Sequence, residues 1–337
     1  MAGNALPKGF TSTSLSLIPK GEGPLSWKQY RPISLCKFTN KIISKVISSR
    51  LAVVLPCIVS DWQSGFINDK IIQDNILLTQ ELIHYIDHTD KGGNVLLKLD
   101  MSRAFDMLSW KFLLLVLKKF DFSEPFVNRI MDCINNVWFS VMVNGDSAGF
   151  FHSTKGLRSG DPLSPYLFIL AEDYLVRGLH SLYKLHPNLA YQTHCKTIIP
   201  CLAYADDCIV FCNRSKSSLS KIIKLLDHYQ TVYGQVVNKD KISCLFSTKL
   251  PPNRANKIIQ YTGFKRETFP FIYLEIPIYK GRKQVQLFDD LLDKIQKKKP
   301  PPGSINFFLL EGESPCFSLF SPPSLSTTFK FTKCLSK

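Results

Sequence analysis

Two adjacent carboxylates set between two apolar runs constrain this chain most: Leu202-Ala203-Tyr204-Ala205-Asp206-Asp207-Cys208-Ile209-Val210-Phe211. The β-branched and aromatic residues on either side favour a hairpin, with Ala205 to Asp207 as its tight turn. Side chains alternate faces along a strand, so Asp206 and Asp207 point to opposite sides and only one lies fully in a shared site. Alone, such a pair reads best as a solvated hairpin tip.

A second acidic cluster changes that reading. Leu96-Leu97-Lys98-Leu99-Asp100-Met101-Ser102-Arg103-Ala104-Phe105-Asp106 is an apolar run ending in Asp100, the way a buried strand delivers a carboxylate to a sheet edge. Hard oxygen ligands on neighbouring strands, completed by phosphate oxygens, suit Mg²⁺, which keeps octahedral geometry and binds few protein groups. A pair of such ions stabilises both the attacking and the leaving oxygen of an in-line phosphoryl displacement, which is the chemistry of nucleotidyl transfer.

Further blocks stand in a fixed order around these two: Ser16 to Lys20, Tyr30-Arg31-Pro32-Ile33-Ser34-Leu35, Gln63-Ser64-Gly65-Phe66, Asp74 to Leu78, Lys98 to Asp106, Gly156 to Phe168 and Tyr204 to Asp207. With these residues the chain resembles the reverse transcriptase of plant LINE-type non-LTR retrotransposons, from about Leu6 to about Lys297. A Tyr-Ala-Asp-Asp string alone is a weak signal, whereas the ordered set is a strong one.

The resemblance implies an α+β right-hand polymerase fold, with fingers, a ferredoxin-like palm and an incomplete thumb, and an RNA-directed DNA polymerase activity. Asp100, Asp206 and Asp207 would hold two Mg²⁺ ions, for which Mn²⁺ can substitute, and the backbone carbonyl of Met101 is a further candidate ligand. Phe105 would be the steric gate against a ribose 2′-hydroxyl; a core phenylalanine is the plainer alternative. Lys241 would protonate the departing pyrophosphate, though a surface lysine fits nearly as well. Arg31 and Lys70 are candidate phosphate contacts, and Arg158, Ser159, Gly160 and Tyr204 would line the substrate. The partners would be an RNA template, a DNA primer and deoxynucleoside triphosphates.

Four residues at three places depart from the family pattern. Asp69-Lys70 stands where a Gly-Arg pair is usual, and Lys lacks the forked geometry of Arg. Ser159 replaces a Gln and loses reach, and Glu275 replaces a Gly in Phe271 to Pro277, which resembles the primer-grip hairpin. These changes, with an incomplete thumb, support an alternative: a truncated, decayed retrotransposon copy that at most binds nucleic acid.

Composition agrees with a nucleic-acid partner. The 337 residues carry a formal charge of +15, with a sequence pI near 9.3. At 45% hydrophobic residues and a mean hydropathy of 0.00 the chain is neither disordered nor membrane-spanning in character. Ten cysteines without paired C-x-x-C spacing indicate neither a zinc site nor a disulfide framework. No signal core or membrane span is evident, so an intracellular location, nucleus or cytoplasm, is expected. The sequence does not fix the oligomeric state.

Along the chain, residues 1–93 read as fingers, with a helix over Thr39 to Leu55 that Pro56 ends and a second over Ile72 to His88. His84 and His88 share a helical face, which reads as surface in the absence of a third metal ligand. Residues 94–270 read as the palm, 271–299 as the primer-grip hairpin and start of the thumb. Within the palm, Asn144-Gly145 signals a hairpin, Ser164-Pro165 a helix start, and strand, helix, hairpin, helix, strand give a split β-α-β element. Residues 300–337, rich in Ser, Pro, Phe and Leu without period, are expected to be disordered and to be read out of frame.

Overall fold

The computed structural model describes residues 11–21, 23, 26–87, 92–101, 104–135, 137–194, 197–234, 242–282 and 284–298. The expectations for Lys241, His88 and the tail 300–337 lie outside these residues. In chain order the elements begin with β1 (Thr13–Pro19), β2 (Tyr30–Cys36), α1 (Phe38–Ile58), α2 (Ile72–Ile83), β3 (Asn94–Asp100), α3 (Ala104–Met107), α4 (Trp110–Lys119) and α5 (Glu124–Asn135). They continue with β4 (Trp138–Val143), β5 (Asp146–His152), α6 (Ser164–Leu185), β6 (Cys201–Tyr204), β7 (Asp207–Asn213) and α7 (Lys216–Tyr233). The last are β8 (Ser243–Phe246), α8 (Pro252–Thr262), β9 (Lys265–Glu267), β10 (Phe271–Tyr273), β11 (Ile276–Ile278) and α9 (Asp289–Lys298).

The central sheet has the order β6-β7-β3-β8-β9. β3 is antiparallel to both β7 and β8, and only the short β9 runs parallel to its neighbour. Taken as β3, α6, β6, β7, α7, β8, this is the strand order of a ferredoxin-like split β-α-β unit. Both faces of β3 are covered, which is why Val95 to Leu99 is nearly continuous in apolar residues. Val95, Leu97 and Leu99 pack with Cys208, Val210 and the helices α4, α6 and α7. Leu96 packs on the opposite face with Ile209 and Phe211, under Ile76, Leu82 and Ile83 of α2 and under Phe271 and Tyr273 of the β10–β11 hairpin.

A second sheet, of order β2-β1-β4-β5, joins distant parts of the chain through a parallel pairing of Thr13, Ser14 and Leu15 with Phe139, Ser140 and Val141. Its β4–β5 turn has Asn144 at φ 51° and Gly145 at φ 91°, the two left-handed residues that an Asn-Gly hairpin requires.

Two helix boundaries correct the sequence reading. Pro56 does not end α1, which continues to Ile58. The carbonyl of Ala52, which a proline at 56 leaves without its helical donor, instead accepts a bond from Asn68 Nδ2 at 3.4 Å. α2 stops at Ile83 and passes into a 3-10 turn, His84–Asp87, because Asp87 is drawn to Ser247 Oγ and Lys280 Nζ, each at 2.6 Å. Among the described residues no helix is long and apolar enough to cross a membrane.

Candidate active site

Asp100 ends β3 and Asp207 begins β7, and the register makes them direct partners. Opposed residues of an antiparallel pair present their side chains on one face, with Cβ atoms roughly 5 Å apart. That face is the one carrying Leu96 and Lys98, so the strand alternation that buries β3 also aims both carboxylates beside the β10–β11 hairpin. Asp206 occupies the turn between β6 and β7 and is the most exposed of the three.

Burial and neighbouring carboxylate charge disfavour the ionisation of Asp206 and Asp207. Desolvation at the sheet edge, then the charge of Asp206, with Asp100 and Glu275 adding to it, raises Asp207 from 3.8 to about 6; Lys98 opposes the shift. Asp206 is also raised, by desolvation first and by Asp100 as the charged neighbour. Among the described residues there is no group of three His, Cys, Asp or Glu side chains placed to hold a metal ion without further ligands.

Lys98 joins the site to its roof. Its Nζ donates to the Ile272 carbonyl at 2.8 Å, fixing β10–β11 over the sheet. The turn of that hairpin, Leu274 and Glu275, has φ of 50° and 64°, a conformation suited to Gly or Asn. Glu275 is held by Lys294 Nζ at 2.7 Å. The Gly usual here in the resembling family would meet the backbone requirement without strain.

The Gly156 to Phe168 block docks on the segment that follows Asp100. Leu157 N–H donates to the Phe105 carbonyl (2.7 Å), Gly156 N–H to Leu108 (2.8 Å) and Trp110 Nε1 to Gly156 (2.8 Å). Gly156 has φ 87°, and a Cβ there would lie 2.6 Å from the Asp106 carbonyl oxygen, so the contact needs glycine. Ser159 offers its carbonyl to Ser34 N–H of β2 at 2.9 Å, and Gly160 has φ 95° beside it. A cavity of about 180 Å³ lies here against the second sheet, lined by Ser34, Asp106, Trp110, Phe151 and Ser159 among others. Phe105 is half-buried and stacks on Phe168 of α6 at 4.7 Å.

The remaining candidates are placed as follows. Tyr204 is half-buried and pairs with Asp207, and Met101 is buried just past Asp100. Arg31 is exposed on β2. Two cations turn inward instead. Arg158 is 5% exposed, pairs with Asp161, and donates to the Cys133 carbonyl at 3.1 Å. With its amide oxygen turned inward, Asn40 of α1 accepts from both guanidinium nitrogens as well. Lys70 Nζ donates to the carbonyls of Ser60 (3.0 Å), Asp61 (3.1 Å) and Gln63 (2.8 Å), which matches its three N–H bonds, and burial lowers its pKa.

Two side chains beneath the hairpin carried no role in the sequence reading. Gln63 accepts from Ala205 N–H in the turn between β6 and β7, and Glu172 of α6 is completely buried near Asp206. Gln63 was visible only as one letter of a family block, and Glu172 only as a polar residue within a helix.

Comparison with known proteins bears directly on this geometry. The profile of the family described as Reverse transcriptase (RNA-dependent DNA polymerase) matches residues 18–266, which include all three carboxylates. The chain is 29% identical over 290 residues to the "Transposon TX1 uncharacterized 149 kDa protein" of Xenopus laevis, covering 80% of this chain and 21% of that protein. It is 26% identical over 239 residues to the "Retrovirus-related Pol polyprotein from type-2 retrotransposable element R2DM" of Drosophila melanogaster, covering 70% and 21%. The chain thus spans about a fifth of the length of these curated relatives. Among solved structures, it superposes on telomerase from Candida tropicalis in complex with a fragment of telomeric RNA, with a TM-score of 0.55, 14% identity, and coverage of 86% of this chain and 49% of that one. That likeness shows the fold. On the extent of the family match, the chain belongs to the reverse transcriptase (RNA-dependent DNA polymerase) family.

Proposed function

We propose that this chain is the RNA-directed DNA polymerase domain of a non-LTR retrotransposon, adding deoxynucleotides to a primer paired with an RNA template. The observation that carries the reading is the in-register pair Asp100 and Asp207 with Asp206 on the adjoining turn, within the stretch that matches the family. In this reading residues 94–270, with the central sheet and the helices behind it, are the palm, residues 1–93, with β1, β2, α1 and α2, the fingers, and β10–β11 with α9 the primer-grip hairpin and the start of the thumb.

The donor set fits divalent metal. Asp100, Asp206 and Asp207 are hard oxygen donors, and the carboxyls of Asp206 and Asp207 are raised by desolvation and by neighbouring carboxylate charge, which a divalent cation would relieve; such an ion takes one or two carboxylates and completes its shell with water and phosphate. Asp100, Asp206 and Asp207 would hold two Mg²⁺ ions, which supply charge stabilisation to the attacking and leaving oxygens when bound. Phe105, fixed by its stack on Phe168, would limit the space at the sugar 2′ position. The Ser159–Gly160 turn, tied to β2, would shape the floor on which the template base rests.

A metal titration tests the donor set. Because Asp207 titrates near 6, cation binding should release protons and weaken below that pH. Mg²⁺ or Mn²⁺ at millimolar concentration is expected to raise the melting temperature at pH 7.5 and to do so several-fold less at pH 5. Equal shifts at both pH values, or none at pH 7.5, would count against it.

A second reading has its own observation. The Glu275 carboxylate sits close enough to Asp207 to disfavour its ionisation, on a turn that a side chain strains. An added negative charge there repels a triphosphate, as expected of a decayed copy that binds nucleic acid without chemistry. Primer extension separates the two readings; binding does not.

A further inference from the structure

The hairpin that carries Asp206 and Asp207 does not hold its own turn. Ala205 has φ 53°, a conformation that residues with a Cβ avoid. Its N–H leaves the β6–β7 ladder and donates to Gln63 Oε1 at 3.1 Å. The same oxygen accepts from Gly65 N–H at 2.9 Å. Gln63 itself has no exposed surface.

The neighbouring residue is gripped from both sides by the same segment. Ala203 N–H donates to the Trp62 carbonyl at 2.9 Å, and the Ala203 carbonyl accepts from Ser64 N–H at 2.9 Å and from Asn75 Nδ2 at 3.2 Å. Ser64 Oγ in turn donates to Asn75 Oδ1 at 3.0 Å. Gly65 lies so close that a Cβ on it would stand 2.4 Å from Ala205 N. The segment 62–65 therefore works as an extra edge against β6, ending directly under the turn.

The amide of Gln63 is used unevenly. Its oxygen takes two backbone donors, whereas its Nε2 is buried with no acceptor among the described residues. Leaving a buried amide donor unmet is unfavourable, a cost that the two bonds to its oxygen offset. What Gln63 supplies is an acceptor at one point in space, the N–H of the residue before Asp206.

We infer that Gln63 is a positioning residue for the carboxylate site: by holding the Ala205 N–H it sets the turn and, through it, where the Asp206 carboxylate stands relative to Asp100 and Asp207. The inference rests on the reading of these carboxylates as a divalent-cation site. Gln63→Met keeps the length of the side chain and removes the acceptor, whereas Gln63→Glu keeps an acceptor oxygen. Leu117→Ala, in the buried face of α4, serves as a control for lost stability unrelated to the turn.

The test is Mn²⁺ binding by the full chain, followed through the loss of the free-ion electron paramagnetic resonance signal, together with hydrogen exchange at the Ala205 amide. Gln63→Met is expected to weaken Mn²⁺ binding about tenfold and to speed Ala205 exchange at least tenfold. Gln63→Glu should recover most of both, and Leu117→Ala should change neither beyond its effect on the folded fraction. Wild-type Mn²⁺ binding that Asp207→Asn abolishes but Gln63→Met leaves intact would overturn the role of Gln63 alone. Wild-type binding that is absent, or indifferent to Asp207→Asn, would overturn the metal-site reading and this inference with it.

Discussion

Replacing Asp207 by Asn is expected to abolish nucleotide addition and, at the same time, to make the fold more stable at neutral pH. The first effect follows from loss of an anionic donor at the reacting phosphate, where several kcal/mol of charge stabilisation correspond to a rate loss of about a thousandfold or more. The second follows from the position of the group. Desolvation and the charges of Asp206, Asp100 and Glu275 raise Asp207 from 3.8 to about 6 in the folded chain, so ionising it costs the fold more than the unfolded chain. Stability from this group is greatest below 3.8 and is lost as pH rises through about 6. Asn carries no such charge. Because the side chain is partly exposed, solvent screening limits the gain to the order of 1 kcal/mol. Urea unfolding at pH 7.5 and pH 4, without metal, checks it: the variant should be the more stable at pH 7.5 and lose that advantage at pH 4. An inactive variant that is also less stable at pH 7.5 would show a structural role instead.

Glu172→Gln should stabilise the protein most of all. Glu172 sits on α6 with no exposed surface; Tyr229 Oη donates to its Oε2 at 2.8 Å, and its Oε1 is buried with no partner among the described residues. Burial, with the charges of Asp206 and Asp173 adding to it, pushes the carboxyl from 4.5 up to about 8, against the Tyr229 hydrogen bond. The acid is therefore neutral inside the fold at pH 7 and ionised in the unfolded chain. Stability is lost as pH rises from 4.5 to about 8, by about 3 kcal/mol at pH 7. Gln keeps the carbonyl that Tyr229 needs and carries no charge to bury. At pH 8 the variant is expected to melt roughly 5–10 °C above the wild-type chain, with a flatter stability profile between pH 4.5 and 8. A lower melting temperature at pH 8 would contradict this account of the buried acid.

Much of the site was legible because strand patterns are local. Val95 to Asp100 and Cys201 to Asn213 announce themselves through apolar runs interrupted by carboxylates, and Asn144-Gly145 marks its hairpin by the left-handed conformations those residues accept. What was not legible depends on distant partners. Pro56 signals a helix end, and nothing nearby in sequence says that Asn68 will take up the Ala52 carbonyl. The pairing of β1 with β4 joins strands more than a hundred residues apart. Arg158 and Lys70, cations in polar loops, suggest substrate contacts. Their actual neighbours, Asp161 and Asn40 for one and three carbonyls for the other, come from the fold of the chain around them. Glu172 reads as an ordinary polar position until α6 is seen to be buried between α4, α7 and the sheet.

RNA-directed DNA synthesis at Asp100, Asp206 and Asp207 would be read out by primer extension. The purified chain is given poly(rA) primed with oligo(dT), deoxythymidine triphosphate, and Mg²⁺ or Mn²⁺, beside the Asp206→Asn variant. Extension by the wild-type chain and none by the variant is expected, with both proteins folded. Extension by the variant at the wild-type rate, or none by a folded wild-type chain, would contradict it.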